Sequence, residues 1–386
     1  MITNAAIEAF RQIETPFYYY DMTLLRRTLA ACVEQAQRFG FQVHYAIKAN
    51  DDARIVEEVR RAGLGIDCVS GGEVSLALKA GFDSGKIVFA GVGKTDKEIN
   101  LALEAGIGCF NVESIPELEV IDAIAGALGT RARIAVRVNP DIDAHTHKYI
   151  TTGLEDDKFG ISTRALPQLF AALRASRNID FTGVHLHVGS QITDMKVFEL
   201  ECSRAIEIQK TFTDNGFAVA NLNLGGGLGV DYYQPDINPV PQFDAWFETI
   251  AEHLPAAAGQ TFHFEPGRAL VAQCGSVITR VVFVKRGLNR TFAIVDAGMN
   301  DLIRPALYQA YHKVENLTGS GPERTYDVVG PICESSDIWG EQIVLPEACR
   351  GDLFAIRTAG AYGQVMAMPY NRRPFAKAYY SDEILK

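Results

Sequence analysis

The stretch VHYAIKAN, residues 43–50, is an apolar run of strand composition that carries a lysine, Lys48, to its end. An ammonium group is strongly hydrated, so a core strand that closes on a lysine is an awkward local choice. Taken alone, Lys48 reads as a solvated strand end. The chain after it repeats the arrangement. The segment DARIVEEVRRAG (52–63) has apolar residues at helical spacing and a glycine stop, and LGIDCVS (64–70) is again a short apolar strand. The alternation continues through KIVFAG (86–91), GCFNVES (108–114), ARIAVRVNP (132–140), FTGVHLHVGS (181–190), NLNLGGGLG (221–229) and TFHFEPGR (261–268). Amphipathic stretches such as EVSLALKAG, DKEINLALEAG and IPELEVIDAIAGALG separate them. An open doubly wound sheet is the competing architecture, but eight strands joined by helices predict a closed (β/α)8 barrel.

After residue 268 the helical period fades. GSVITRVVFVKRG (275–287), TFAIVDAG (291–298), TYDVVGPIC (325–333) and GDLFAIRTAG (351–360) predict an all-β domain. The first ~20 residues, with TPFYYYD at 15–21, have strand character and precede a helical stretch. The expected division is a barrel over 22–267 and a β domain over 1–21 and 268–386, the N-terminal segment completing the latter.

Composition narrows the functional classes. The 386 residues are 47% hydrophobic and 22% charged, with a formal net charge of −10. That balance speaks against a duplex nucleic-acid binder, which needs a basic face. The N-terminus lacks a basic segment followed by an apolar core, and no apolar run is long enough to cross a membrane. Seven cysteines are scattered with no CxxC pair, which points to reduced thiols and a cytoplasmic setting.

In a barrel of this kind the chemistry gathers at the C-terminal strand ends. Lys48 ends the first strand, the second carries Asp67, and the fifth ends with Arg137 and Asn139. The sixth places His185 and His187 on one face. The seventh ends in Gly225, Gly226 and Gly227, and the eighth carries His263 and Glu265 before Gly267 and Arg268. Each has a plainer reading. The glycines suit a tight turn, His263 suits a satisfied core histidine, and Glu265 suits a salt-bridge partner for Arg268. Two histidines at alternate positions also suit zinc, but a third protein ligand is wanting, so no metal is expected. As a set they fit one ligand. Glycine N–H groups, Ser190 and Arg268 suit a phosphate; Glu265 suits a pyridinium N–H; His187 suits a flat ring; Lys48 suits a Schiff base. Those are the needs of pyridoxal 5'-phosphate.

The order IKAN, HVGS, GGGLG and EPGR resembles the pyridoxal-phosphate decarboxylases of the alanine-racemase fold group. RPALYQAYH (304–312), GPICESSD (330–337) and AGAYG (359–363) narrow the resemblance to the diaminopimelate decarboxylase family, along nearly the whole chain. That resemblance implies a homodimer with active sites shared across the interface, the cofactor on Lys48, and loss of CO2 from meso-diaminopimelate to give L-lysine. Asp67, Gly226, Gly227, Gly267 and Tyr362 join the cofactor set. Cys333 is implied as proton donor to the α-carbon, against its plainer reading as a small buried hydrophobe. Arg304, with Arg268 second, is implied for the distal carboxylate, Glu334 for the distal ammonium, and Tyr308 and Tyr362 as hydroxyl contacts. The related racemases place an arginine where Glu265 stands, so the glutamate favours decarboxylation. A decarboxylase of another basic or carboxylated amine, of carboxynorspermidine or ornithine type, is the alternative, and Arg304 with Glu334 disfavours it. A non-catalytic relative that acts by binding a partner is a further possibility, disfavoured by Lys48, Glu265 and Cys333.

Overall fold

Strand β1 (Phe17–Tyr20) and eight short strands, β2 (Gln42–Ala46), β3 (Gly65–Cys68), β4 (Ile87–Phe89), β5 (Cys109–Val112), β6 (Ala132–Arg137), β7 (Ile179–His185), β8 (Asn221–Asn223) and β9 (Thr261–Phe264), order the first two thirds of the chain. The computed structural model describes residues 2–140 and 158–385. Strands β2 to β9 close in sequence order into a parallel barrel. β3 is buried at every position and β2 at all but its first, as strands covered on both faces must be. The helices between them start on side-chain caps. Asp52 caps Ala53–Arg61, Ser70 caps Gly71–Lys79, Ser114 caps Ile115–Ala127, and Thr95 with Glu98 forms a capping box on Asp96–Ala105. Each cap satisfies N–H groups that the first helical turn leaves without partners, which fixes where the preceding loop ends.

The remaining strands, β10 (Gly275–Arg286), β11 (Thr291–Val295), β12 (Val314–Asn316), β13 (Glu323–Val329), β14 (Ile338–Pro346), β15 (Leu353–Ile356) and β16 (Lys377–Tyr380), form a separate sheet. Its main path runs β12-β15-β10-β11-β13-β14, and β1 joins it between β10 and β16, with Phe17 opposite Ile278. The N-terminal segment therefore completes this sheet. The strand is short, however: residues 4–10 are an α-helix capped by Thr3, whose Phe10 packs edge-on against Phe17 and Tyr19. The sequence reading of the first twenty residues had only strand character there, because a single helical turn pair has too few apolar positions to show a period.

The chain groups into two compact units. One holds residues 29–229 and 242–267; the other holds the residues up to 28, 230–241 and those from 268 on. The segment 230–241, carried with the barrel in the sequence-based division, lies with the β-rich unit. Its polar groups explain this: Arg268 donates to the Tyr232 hydroxyl at 2.6 Å, Arg357 donates to Asp236 at 2.8 Å, and Gln273 donates to the Asn238 carbonyl at 2.6 Å. Among the described residues, no helix is long and apolar enough to cross a membrane, and all seven cysteines are free thiols.

Candidate active site

β2 stops at Ala46, and Ile47–Ala49 form one 3-10 turn, so Lys48 stands just beyond the strand rather than on it. The turn exposes Lys48 and buries Ile47 and Ala49. It is pinned from several sides. The Asn50 N–H donates to the Ile47 carbonyl at 3.0 Å, the Tyr45 hydroxyl donates to the Asn50 carbonyl at 2.8 Å, and the Ala46 N–H donates to the Pro266 carbonyl at 3.3 Å. Gly267 lies against the same turn: a Cβ there would stand 3.1 Å from Ala49 Cβ and 3.2 Å from Ala46 Cβ. The lysine thus stands exposed on a fixed base.

Asp67 pairs in register with Ala46 and is buried. Its Oδ1 has no hydrogen-bond partner among the described residues. Burial, then the charge of Glu265, pushes its carboxyl well above the ordinary range, and the Lys48 ammonium works the other way.

Glu265 follows β9 and is also buried, but it is treated differently. Its Oε1 accepts from Asn111 Nδ2 at 3.0 Å and from Asn223 Nδ2 at 2.6 Å. Its Oε2 lies 3.2 Å from His185 Nε2, out of line for a ring N–H, so the contact is electrostatic and no hydrogen bond forms. Burial pushes the carboxyl up, yet His185 and the Asn223 amide outweigh it and hold the group far below its usual value. Glu265 is therefore a buried carboxylate, with one oxygen saturated by amides and the other lacking an aligned donor.

β7 ends at His185, and His187 sits beyond it, half-buried. The Gly226 N–H donates to His187 Nδ1 at 3.2 Å, so Nδ1 is an acceptor and a proton on the neutral ring sits on Nε2. Burial, with the charges of Arg137 and Lys48, pushes its pKa well down, which keeps the imidazole neutral. Gly225 and Gly227 have φ of +64° and +106°, where side chains are strained. A Cβ on Gly226 would meet the Glu265 carbonyl at 2.4 Å. The loop is bare backbone by necessity, and half-buried Ser190 follows His187 in the neighbouring segment. With the Gly225 N–H given to Asn223 Oδ1 and the Gly226 N–H to His187, the Gly227 N–H and the Ser190 hydroxyl are the groups that fit a phosphate, and Glu265 Oε2 fits a protonated ring nitrogen. The residues at the strand ends suit pyridoxal phosphate on both counts.

Arg137 is committed elsewhere, donating to Glu113 Oε1 at 2.8 Å. Asn139 Nδ2 donates to the Phe159 carbonyl at 3.4 Å. His263 is the satisfied core histidine of its plainer reading: Nδ1 meets His44 Nε2 at 3.2 Å and Nε2 meets Asn221 Oδ1 at 3.1 Å.

The β-rich unit carries a second constellation. Arg268 and Arg304 are both buried. The guanidinium of Arg268 lies 4.9 Å from the Tyr362 ring centre, and that of Arg304 lies 5.6 Å from Tyr232, 6.0 Å from Tyr308 and 6.0 Å from Tyr362. Arg304 Nε donates to His312 Nε2 at 3.3 Å, which leaves the His312 proton on Nδ1 to be donated to the Arg357 carbonyl at 2.9 Å. Among the described residues no carboxylate lies within ion-pair distance of Arg304. Burial, and the nearby Arg268, depress its pKa, as a cation lacking a counter-ion should show.

Cys333 and Glu334 belong to the same unit. Both are exposed, contrary to the buried-hydrophobe reading of the cysteine. The Cys333 N–H donates to Asn371 Oδ1 at 3.2 Å, and Glu334 Oε1 accepts from the Tyr370 hydroxyl at 2.6 Å. Among the described residues no hydrogen bond or ring contact joins them to Arg268, Arg304 or Tyr362.

Sequence reasoning passed over Asn111, Asn223, Tyr232 and His312. Asparagine is depleted in strands, so two of them in buried runs, NV and NLNL, were the available signal. No local pattern marks Tyr232, and His312 closes the RPALYQAYH motif without a role of its own.

Comparison with known proteins agrees with this chemistry. Residues 24–272 match the pyridoxal-binding domain model of the pyridoxal-dependent decarboxylases. The chain is 53% identical to the diaminopimelate decarboxylase of Bacteroides thetaiotaomicron over 98% of each chain. It is 42% identical to that of Vibrio cholerae, over 94% of this chain and 86% of the relative. The structure of the Helicobacter pylori diaminopimelate decarboxylase complexed with L-lysine superposes with a TM-score of 0.91 at 39% identity, covering 97% of this chain and 93% of that one.

Proposed function

We propose, since the chain belongs to the diaminopimelate decarboxylases within the pyridoxal-dependent decarboxylase family, how its residues divide that family's reaction between them. The reaction is the conversion of meso-diaminopimelate to L-lysine and CO2 with pyridoxal 5'-phosphate. When bound, the cofactor supplies a conjugated ring that takes up the electron pair released as CO2 departs.

The protein's own groups do the rest. Lys48 holds the cofactor through its amine, on a turn too well pinned to let the stem wander. Glu265 Oε2 accepts the ring N–H, and His185 together with the Asn223 amide on Oε1 keeps it ionised. His187, neutral and oriented by Gly226, lies against the ring. Gly227, Gly267, Ser190 and Arg268 hold the phosphate on a loop that Gly226 keeps free of side chains, with Asp67 and Tyr362 in the cofactor shell. Cys333 gives the α-carbon the proton that replaces the lost carboxylate. Arg304 binds the distal carboxylate, with Tyr308 and Tyr362 beside it, and Glu334 binds the distal ammonium. Cys333 and Glu334 are exposed, which supports a homodimer in which each site takes them from the partner subunit. Free thiols that include exposed Cys333 and Cys349 favour a reducing, cytoplasmic setting.

The observation that carries the substrate assignment is Arg304. A buried guanidinium with no carboxylate near it needs an anionic partner, and a diamino-dicarboxylate brings one while an ornithine-type substrate does not. Supplying the holoenzyme with meso-diaminopimelate, ornithine and carboxynorspermidine separately tests this. CO2 and L-lysine from the first, at a kcat/KM well above the others, is the expected result; faster turnover of either other substrate would remove the assignment.

A further inference from the structure

One residue touches both ends of the proposed cofactor site. Asn223, the last residue of β8, is buried. Its Nδ2 donates to Glu265 Oε1 at 2.6 Å, and its Oδ1 accepts from the Gly225 N–H at 2.8 Å. The two bonds fix the amide orientation, because only nitrogen can donate to a carboxylate and only oxygen can accept from a backbone N–H. The second is an Asx turn, which sets the chain into the positive φ of Gly225. The loop is then held from three sides: Glu265 N–H donates to the Gly225 carbonyl at 2.6 Å, and Gly226 N–H donates to His187 Nδ1 at 3.2 Å. Asn111 shares only the first task. Its Nδ2 reaches the same Glu265 oxygen at 3.0 Å, from β5, and among the described residues it makes no hydrogen bond to the glycine loop. Both asparagines line a cavity of about 100 Å³ inside the barrel, with His44, Thr182, Asn221 and His263. Polar strand residues facing a barrel interior are costly unless they act on a partner.

We propose that Asn223 is a positioning residue that couples the ring-nitrogen anchor to the phosphate loop, while Asn111 serves the anchor alone. The inference rests on the cofactor assignment above. Amide donors on Oε1 lower the proton affinity of Glu265, so the proton shared between ring nitrogen and Oε2 stays on the ring. Removing either asparagine moves that proton toward Glu265. Removing Asn223 also frees the Asx turn, so the loop that presents the Gly227 N–H loses its preset course.

The test uses pyridoxal phosphate labelled with 15N in the ring. Two quantities are read on wild type, Asn111→Ala, Asn223→Ala and Asn223→Ser: the dissociation constant of the cofactor from the apo-protein, and the ring 15N shift of the holoenzyme. Both alanine variants are expected to move the 15N signal toward that of unprotonated pyridine. Asn223→Ala weakens cofactor binding about tenfold, whereas Asn111→Ala stays within about threefold. Asn223→Ser restores affinity, since a hydroxyl makes the equivalent turn, but not the 15N signal, since it is too short to reach Glu265. The serine variant keeps the test decisive if the alanine variant does not fold. Wild-type affinity and 15N shift in Asn223→Ala, a wild-type shift in Asn223→Ser, or equal weakening by Asn111→Ala and Asn223→Ala would each overturn the coupling. Failure of the wild-type apo-protein to bind pyridoxal phosphate would overturn the cofactor assignment itself, and is read before any variant.

Discussion

The barrel and the β-rich unit each bury charge at a proposed site, and they stabilise it by opposite means. In the barrel the charge is the carboxylate of Glu265, and the amides of Asn111 and Asn223 hold it together with His185. In the β-rich unit the charges are the guanidinium groups of Arg268 and Arg304, ringed by Tyr232, Tyr308 and Tyr362. The amides leave one oxygen of Glu265 for a ligand proton. The rings and His312 surround Arg304, and among the described residues it has no carboxylate partner. A buried anion poised by donors tunes an electron sink; a buried cation lacking its counter-ion selects for one. Damage in the barrel should therefore destroy the chemistry, and damage at Arg304 should blunt recognition.

The largest expected effect follows from that division. Lys48→Ala removes the amine that holds the cofactor, and turnover should fall to below about a thousandth of wild type. Steady-state kinetics with saturating pyridoxal phosphate measures it; retention of a tenth of the activity would take Lys48 out of the chemistry.

Arg304→Ala comes next. A charge-assisted hydrogen bond contributes roughly 1.5–3 kcal/mol, so kcat/KM for diaminopimelate should drop about tenfold to a hundredfold. A substrate that lacks the distal carboxylate should lose much less. If both fall together, Arg304 is supporting the fold and the contrast between the regions dissolves.

The contrast was only half legible in the sequence. Strand and helix periods announced the barrel, and the strand ends announced Lys48, His187 and Glu265. What stayed hidden was set by contacts between segments far apart. A single 3-10 turn displaces Lys48 from the strand end, and nothing in VHYAIKAN encodes it. The segment 230–241 joins the β-rich unit through Tyr232, Asp236 and Asn238, which look like loop residues until Arg268, Arg357 and Gln273 are in place. Asn111 and Asn223 were ordinary polar residues until β5 and β8 brought both onto one oxygen of Glu265.

A third prediction concerns pH. His312 is buried between Arg304 and the Arg357 carbonyl, and burial, then Arg304, lowers its pKa to about 3. Its ordinary value is about 6.5. The folded pKa lies below the unfolded one, so between these values the unfolded chain holds a proton that the folded chain refuses. The stability from neutral His312 is full above about 6.5 and is lost as pH falls toward 3. One such proton makes unfolding easier by about 1.4 kcal/mol per pH unit. His263, lowered to about 4 by burial and by His44, adds a like term from the barrel. His312→Asn should make the acid limb shallower by about one proton between pH 6 and 5 in denaturant titrations. An unchanged slope would mean that His312 titrates freely.

The smallest expected signal is the recovery from mixing two dead proteins. If each site takes Lys48 from one subunit and Cys333 from its partner, Lys48→Ala and Cys333→Ala chains refolded together should regain about a quarter of wild-type activity. About half the dimers are hybrid, and each hybrid has one intact site. No recovery with hybrids demonstrably present would place both residues in one chain's site.

If the cofactor is held on exposed Lys48, in the turn that follows the first barrel strand, that lysine alone should carry it. The rival inside the same barrel is Lys94, a buried lysine that donates to Glu117 at 2.6 Å and to the Gly91 and Asn111 carbonyls at 2.8 Å each. Borohydride reduction of the holoenzyme, followed by digestion and mass spectrometry, identifies the lysine directly. The modification is expected on the peptide containing Lys48 and on no other. Finding it on Lys94, or on any lysine outside the 47–49 turn, would contradict the account.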